Sequence, residues 1–214
     1  MKPILFSTDM VRAILDGRKT QTRRVIKKLY RHAPNLILDG KPVGEAGNEK
    51  NPLGFMTGLG IERPRYNIGD ILYVRETWMH EANQTHLVPK RQYYYKADYD
   101  KFGAAYREWE CGYDAKWRPS IHMPKEAARI FLRVTGVRVE RLHDILKNPS
   151  DCYKEGIDTN GLICEKRAFM SLWIDTCGNK RDYKSWLNNP WVWVYEFERI
   201  NHRERRTHDK LVYA

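Results

Sequence analysis

Apolar residues run unbroken over positions 3–6 and then recur at Met10, Val11, Ile14 and Leu15, one face of a helix. This pattern predicts a short first strand followed by a helix. Thr8 or Asp9 supplies the capping oxygen, and Gly17 the left-handed stop. Residues 20–26 then alternate as a strand with one mostly cationic or polar face.

The pattern breaks over 28–64, where glycine and proline abound and no period is sustained, so this stretch is expected to be an insertion or long loop. Residues 66–70 read as a turn into a strand over 71–78, with Leu72, Val74 and Trp78 on one face and Arg75 on the other. A second insertion, 79–118, mixes aromatics with charges, and 92–97 is its best strand. From 128 to 142 the chain is β-like again, but its apolar positions switch from even (Ile130, Leu132, Val134) to odd (Val137, Val139). Side chains alternate faces strictly, so the switch implies a bulge or tight turn at Gly136. Pro149 and Gly156 bracket a short helix carrying Asp151 to Glu155. Phe169, Leu172 and Trp173 mark a further amphipathic helix, and 191–195 is apolar on both faces, as a central strand should be. The sum is an α+β fold: a small, mostly antiparallel barrel-like sheet with two or three flanking helices. Its single domain spans 1–200, with insertions at about 28–64 and 79–118, and 201–214 forms a basic tail.

Composition narrows the partner. The chain has 214 residues, 42% of them hydrophobic, and a formal net charge of +11. Such a surplus points to an anionic partner, although a merely soluble basic protein would show it too. The opening apolar run is too short for a signal peptide, and no stretch approaches the ~20 apolar residues of a membrane span. A cytoplasmic protein without a membrane partner is therefore expected. Cys111, Cys152, Cys164 and Cys177 form no paired motif, and the seven histidines show no ligand spacing, so neither metal nor cofactor is expected.

The densest chemistry is Gly17-Arg18-Lys19-Thr20-Gln21-Thr22-Arg23-Arg24, placed where the first helix gives way to a strand. Such a cluster can hold a polyanion, or it can lower a lysine's pKa beside a hydroxyl. Glycine, then Lys19, then Arg24 after the first helix, the later Gly69-Asp70 turn into a strand, and the closing aromatic strand at 191–195 together resemble the ASCH family. The stretches Val74-Arg75-Glu76-Thr77-Trp78 and 189–194 are similar to the larger ASCH-type proteins common in phages and prophages. The resemblance implies a PUA-like fold that binds RNA, single-stranded nucleic acid or a modified nucleoside. One branch of the family hydrolyses the acetyl amide of N4-acetylcytidine with a Lys, a Thr and a Glu, which fall on Lys19, Thr22 and Glu155 here. Other relatives are thought to be ribonucleases. The insertions make this chain far longer than the hydrolytic branch.

The chemistry is coherent on these residues. A lysine acts as a base only when neutral, and bringing its pKa near 7 takes about three units, or roughly 4 kcal/mol against the charged form. Arg18, Arg23 and Arg24, with partial burial, push in that direction, and a neighbouring hydroxyl can then be activated as nucleophile. Glu155 sits where a helix ends, a place that disfavours an anion. On the other reading Lys19, Arg18, Arg23 and Arg24 contact phosphates, the threonines are ordinary strand formers, and Glu155 is a solvated helix end. Arg75 and Glu76 either line the same cleft or pair across the sheet, and Trp78 is expected in the core. Tyr93, Tyr94 and Tyr95, beside Lys90, Arg91 and Lys96, either stack bases or form a hairpin burying alternate tyrosines. His122 is expected to hydrogen-bond structurally. Arg203, Arg205, Arg206 and Lys210 either grip phosphates or only solubilise the tail.

Overall fold

The computed structural model describes residues 1–26, 37–38, 41–42, 64–80, 93–99, 116–157, 164–177 and 185–201. Most of both insertions and the tail beyond Asn201, with the cations named there and Cys111, lie outside the described residues.

The first strand, β1 (Lys2–Leu5), leads into α1 (Thr8–Leu15). Ser7, not Thr8 or Asp9, is the residue in the extended capping position, and its side chain makes no capping bond. Asp9 instead lies in the first turn, where an anion suits the positive helix end, and accepts from Arg12 Nη1 at 3.0 Å. Gly17 follows with φ 77°, the left-handed conformation expected of it. The next strand, β2, spans Gln21–Val25. Two-residue strands β3 (Ile37–Leu38) and β4 (Lys41–Pro42) pair with each other. Strand β5 is Ile71–Arg75, shorter than expected, because the chain starts a separate strand β6 at Trp78–His80. That strand forms an antiparallel hairpin ladder with β7 (Tyr93–Tyr95), which runs into one helical turn, α2 (Lys96–Tyr99). Tyr94 is buried and its two neighbours only partly so, as the hairpin reading of the tyrosines requires.

Strand β8 runs unbroken over Phe131–Arg141. Leu132 and Val134 are buried on its first half, Val137 and Val139 on its second. The parity switch is thus real, but it occurs inside a continuous strand and no turn forms at Gly136. A side chain there would meet Glu196, whose carboxylate oxygen lies 2.7 Å from where a Cβ would stand. Helix α3 (Pro149–Lys154) begins at Asn148, whose side chain accepts from Ser150 N at 3.2 Å. It ends at Gly156, φ 90°. The last carbonyls are closed by Ile157 N on Cys152 O at 3.1 Å and Gly156 N on Tyr153 O at 2.8 Å, a Schellman closure. Helix α4 (Glu165–Cys177) and strand β9 (Trp191–Ile200) complete the order.

Five strands are hydrogen-bonded in the order β1-β5-β8-β9-β2. β1 is parallel to β5, whereas β5 with β8 and β2 with β9 are antiparallel. The fold is mixed α+β, and among the described residues the sheet is open, with β1 and β2 at its edges. The expected barrel closure is not formed there. Alternating apolar positions are common to open and closed sheets, so the pattern could not distinguish them.

The chain divides into two compact units. One comprises Met1–Gly17, Ile71–Arg133 and Arg199–Ala214; its core gathers Ile71, Trp78, Met123, Phe131 and Ile200. The other comprises Arg18–Asp70 and Val134–Glu198, with Leu142, Ile145, Cys152, Phe169, Trp173, Val192 and Val194 packed together. No helix of the described residues is long and apolar enough to cross a membrane.

The left-handed conformation at Gly156 gives a direct test of how Glu155 is placed. Gly156→Ala forces a Cβ into that region at a cost of about 1–2 kcal/mol. The melting temperature should fall by about 2–4 °C per kcal/mol for a chain of this size. An unchanged or raised melting temperature would show that the turn does not need this backbone.

Candidate functional site

Residues 18–24 of the motif belong to the second unit, where they fold against the end of α3. Thr20 N donates to Lys154 O at 2.9 Å, and Phe197 N donates to Thr20 O at 2.8 Å. These bonds tie the entry of β2 to both the helix end and β9. Gln21 adds a side-chain bond, its amide donating to Asp151 O at 3.0 Å.

Lys19 and Glu155 meet directly. The amine donates to Glu155 Oε2 at 2.9 Å, to Glu155 O at 2.7 Å and to Gln21 O at 2.9 Å. The two side chains are 0% and 4% exposed, so this is a buried pair with most of its hydration removed. Gln21 O belongs to the peptide that joins Gln21 to Thr22, which puts the amine within one peptide unit of Thr22. Thr22 is itself buried. Burial pulls the Lys19 pKa below its ordinary value; Glu155 opposes this, and the positive charges of Arg24 and Arg23 add to it. A lysine placed this way gives up its proton more readily than one in water.

Arg23 occupies the other oxygen of the same carboxylate. Its Nη1 donates to Glu155 Oε1 at 2.9 Å, and its Nη2 to Glu140 Oε2 at 3.0 Å and to Asp151 Oδ2 at 3.4 Å. Arg138 continues the network, donating to Glu140 and Glu196. The strand face that carries Gln21 and Arg23, expected to be cationic or polar, is therefore interior: both residues are buried.

Thr22 and Arg24 lie on the opposite face of β2 from Arg23, by the alternation of a strand. In the ladder with β9 they stand across from Tyr195 and Trp193. Tyr195 meets Tyr66 edge-on, with ring centres 5.1 Å apart, and its hydroxyl accepts from Arg65 N at 3.0 Å. Burial pushes the Tyr195 hydroxyl up to about 12. Burial also lowers Arg24, against the pull of Glu155, Tyr66, Cys177 and Tyr195. Arg24 thus has aromatic rings near it on this face.

Of the expected anion-binding arginines, Arg18 donates to Gly156 O at 3.0 Å and holds the helix end. Arg75 belongs to the first unit, where it donates to Met123 O at 2.9 Å and to Ile121 O. Its neighbour Glu76 is buried and receives the fork of Arg129 at 2.9 and 3.0 Å. The same guanidinium reaches Asp98 at 2.6 Å and lies 4.0 Å from the centre of the Tyr95 ring. Of the two alternatives for this pair, Glu76 takes the ion pair and Arg75 binds loop carbonyls. Trp78 is in the core, and His122 sits exposed in a 3-10 turn, Ser120–His122.

Sequence reasoning missed the roles of Asp151, Glu140 and the tyrosines around Arg24. Asp151 was accessible, because it precedes Glu155 by one helical turn and such residues share a face. Glu140 follows Arg138 by two in a strand, again on one face. Nothing local marks Tyr66 as a neighbour of Tyr195. No family model, curated protein or solved structure matches the chain.

The lowered Lys19 pKa fixes a sign. The unfolded chain holds the Lys19 proton up to the ordinary value of 10.5, whereas the folded chain releases it earlier. Between those two pH values the unfolded state binds more protons, so stability rises with pH there, at no more than about 1.4 kcal/mol per pH unit. Denaturant unfolding of the intact protein and of Lys19→Met, from neutrality up to 10.5, should show the intact protein gaining relative to the variant as pH rises. A difference that is flat or falls over that window contradicts the assignment.

Proposed function

We propose that the chain is an ASCH-type domain of the PUA-like kind. It takes a modified nucleoside, free or within single-stranded RNA, at the Lys19–Thr22–Glu155 site and hydrolyses an N4-acyl amide of cytidine there. The observation that carries this reading is the burial of the Lys19 amine on Glu155, next to the Thr22 peptide. A phosphate grip would leave such cations exposed and unspent; here Lys19 and Arg23 are turned inward onto carboxylates and carbonyls. The surplus charge of +11 still favours an anionic polymer.

In the proposed reaction, Lys19 in its neutral form takes the proton of the Thr22 hydroxyl as that oxygen attacks the acyl carbon. The tetrahedral adduct collapses with cleavage of the C–N bond, and the Lys19 ammonium returns its proton to the departing N4 amine. Water, deprotonated by Lys19 in turn, attacks the acyl carbon; the bond from that carbon to the Thr22 oxygen breaks, the Lys19 ammonium returns the proton to that oxygen, and the acyl group leaves as a carboxylic acid. Glu155 holds the lysine in place and balances its charge when it is protonated. Tyr66 and Tyr195, both buried, wall the side of the site beside Arg24, and Arg24 is the donor to a carbonyl on the edge of the base.

Incubation with N4-acetylcytidine should release cytidine. Lys19→Met and Thr22→Val should each lower kcat by about 10²–10⁴. A single-stranded RNA carrying the same base distinguishes polymer from free nucleoside. Failure of the intact protein both to bind and to cleave either substrate would overturn the reading, and cleavage of the RNA backbone instead would reassign the site to a ribonuclease.

A further inference from the structure

We propose that Arg23 is a positioning residue: a buried guanidinium fork that fixes Glu155 so that Oε2 faces the Lys19 amine. This rests on the amidohydrolase reading of the same site. Glu155 lies just past the last turn of α3, where helical neighbours do not hold a side chain. Two cations hold it, Arg23 and Lys19. One arm of the fork takes Oε1 at 2.9 Å, leaving Oε2 for Lys19 at 2.9 Å. The carboxylate cannot turn over without breaking both bonds.

The other arm of the fork anchors Arg23 itself. Nη2 reaches Glu140 on β8 at 3.0 Å and Asp151 on α3 at 3.4 Å, so its position is set from two elements at once. The guanidinium side chain is 1% exposed, which removes it from any direct role with a phosphate in solvent. Buried ion networks are weak stabilisers, since apolar residues of similar shape often serve as well. A network built this closely around one lysine should therefore register on that lysine more than on stability.

The charges facing Lys19 are Glu155 from the end of α3 and Arg23 and Arg24 from β2. Those facing Arg23 are Glu155, Glu140 and Asp151, of which Glu140 also takes Arg138 and Asp151 takes Lys154 at 3.6 Å. Arg23→Gln removes one positive charge beside Lys19 and leaves Glu140 and Asp151 less neutralised. Each change favours the charged lysine, so Lys19 should keep its proton to higher pH. Arg23→Lys keeps the charge but replaces the fork with a single point donor, which cannot span Glu155 and Glu140 together.

The test combines a ¹⁵N-detected titration of the Lys19 amine with the pH dependence of kcat on N4-acetylcytidine. In Arg23→Gln the Lys19 midpoint should move up by about one pH unit, and the rising limb of kcat should move with it. At a pH below that limb the variant should be roughly tenfold slower, with KM little changed. Arg23→Lys guards against a Gln variant that fails to fold. In it the Lys19 signal should shift or broaden as the carboxylate loses its second anchor. A Lys19 signal unchanged in whichever variant folds overturns the proposal, whatever happens to kcat. Should the signal move while the intact protein leaves N4-acetylcytidine uncleaved, the positioning role stands and the amidohydrolase reading falls.

Discussion

The buried contact between Lys19 and Glu155 constrains everything around it. Two opposite charges with almost no exposure have lost their water, and the mutual attraction offsets that loss only when the remaining donors and acceptors are also matched. Here they are. The lysine has two carbonyls besides the carboxylate, and the second carboxylate oxygen is taken by Arg23. Removing one partner of such a pair typically costs about 3–5 kcal/mol, because the other is left buried and unmatched. The left-handed turn at Gly156, the bond from Thr20 N to Lys154 O and the bond from Gln21 to Asp151 all hold the same helix end against β2.

That constraint changes what the basic motif can do. A run of four cations in eight residues suggests a surface for phosphates, and the net charge of +11 encourages the idea. Yet Lys19 and Arg23 are interior, Arg18 is engaged by Gly156 O, and Arg24 lies by Tyr66 and Tyr195. Desolvation, the largest influence on Lys19, is what a base requires and what a phosphate ligand has no use for. Lys19 and Arg23 are thus interior groups of the fold, not an exposed cationic surface.

Much of this was legible in the chain, and the gaps have physical causes. Gly17 and Gly156 were readable because a left-handed backbone has few alternatives to glycine, and both have positive φ. The shift of buried positions along β8 was readable because alternation is strict. The meeting of Lys19 with Glu155 came from family resemblance; they are 136 residues apart, and no local pattern links them. Arg23 was misjudged for the same reason: its three carboxylates all come from distant stretches of chain, so in sequence it looked unpaired. Ser7 displaced Thr8 and Asp9 as the helix start, an error of one residue at an element boundary. That the sheet is open among the described residues escaped prediction because strand periodicity carries no information on closure.

The most direct test of the Lys19–Glu155 pair is a double-mutant cycle, with Lys19→Met, Glu155→Leu and the combined variant unfolded by denaturant at one pH. The two single changes should each be strongly destabilising and the pair together much less than their sum, with a coupling of about 2–3 kcal/mol. Single changes that simply add, to within about 0.5 kcal/mol, would mean that the two charges do not depend on each other, and the site as described would not exist.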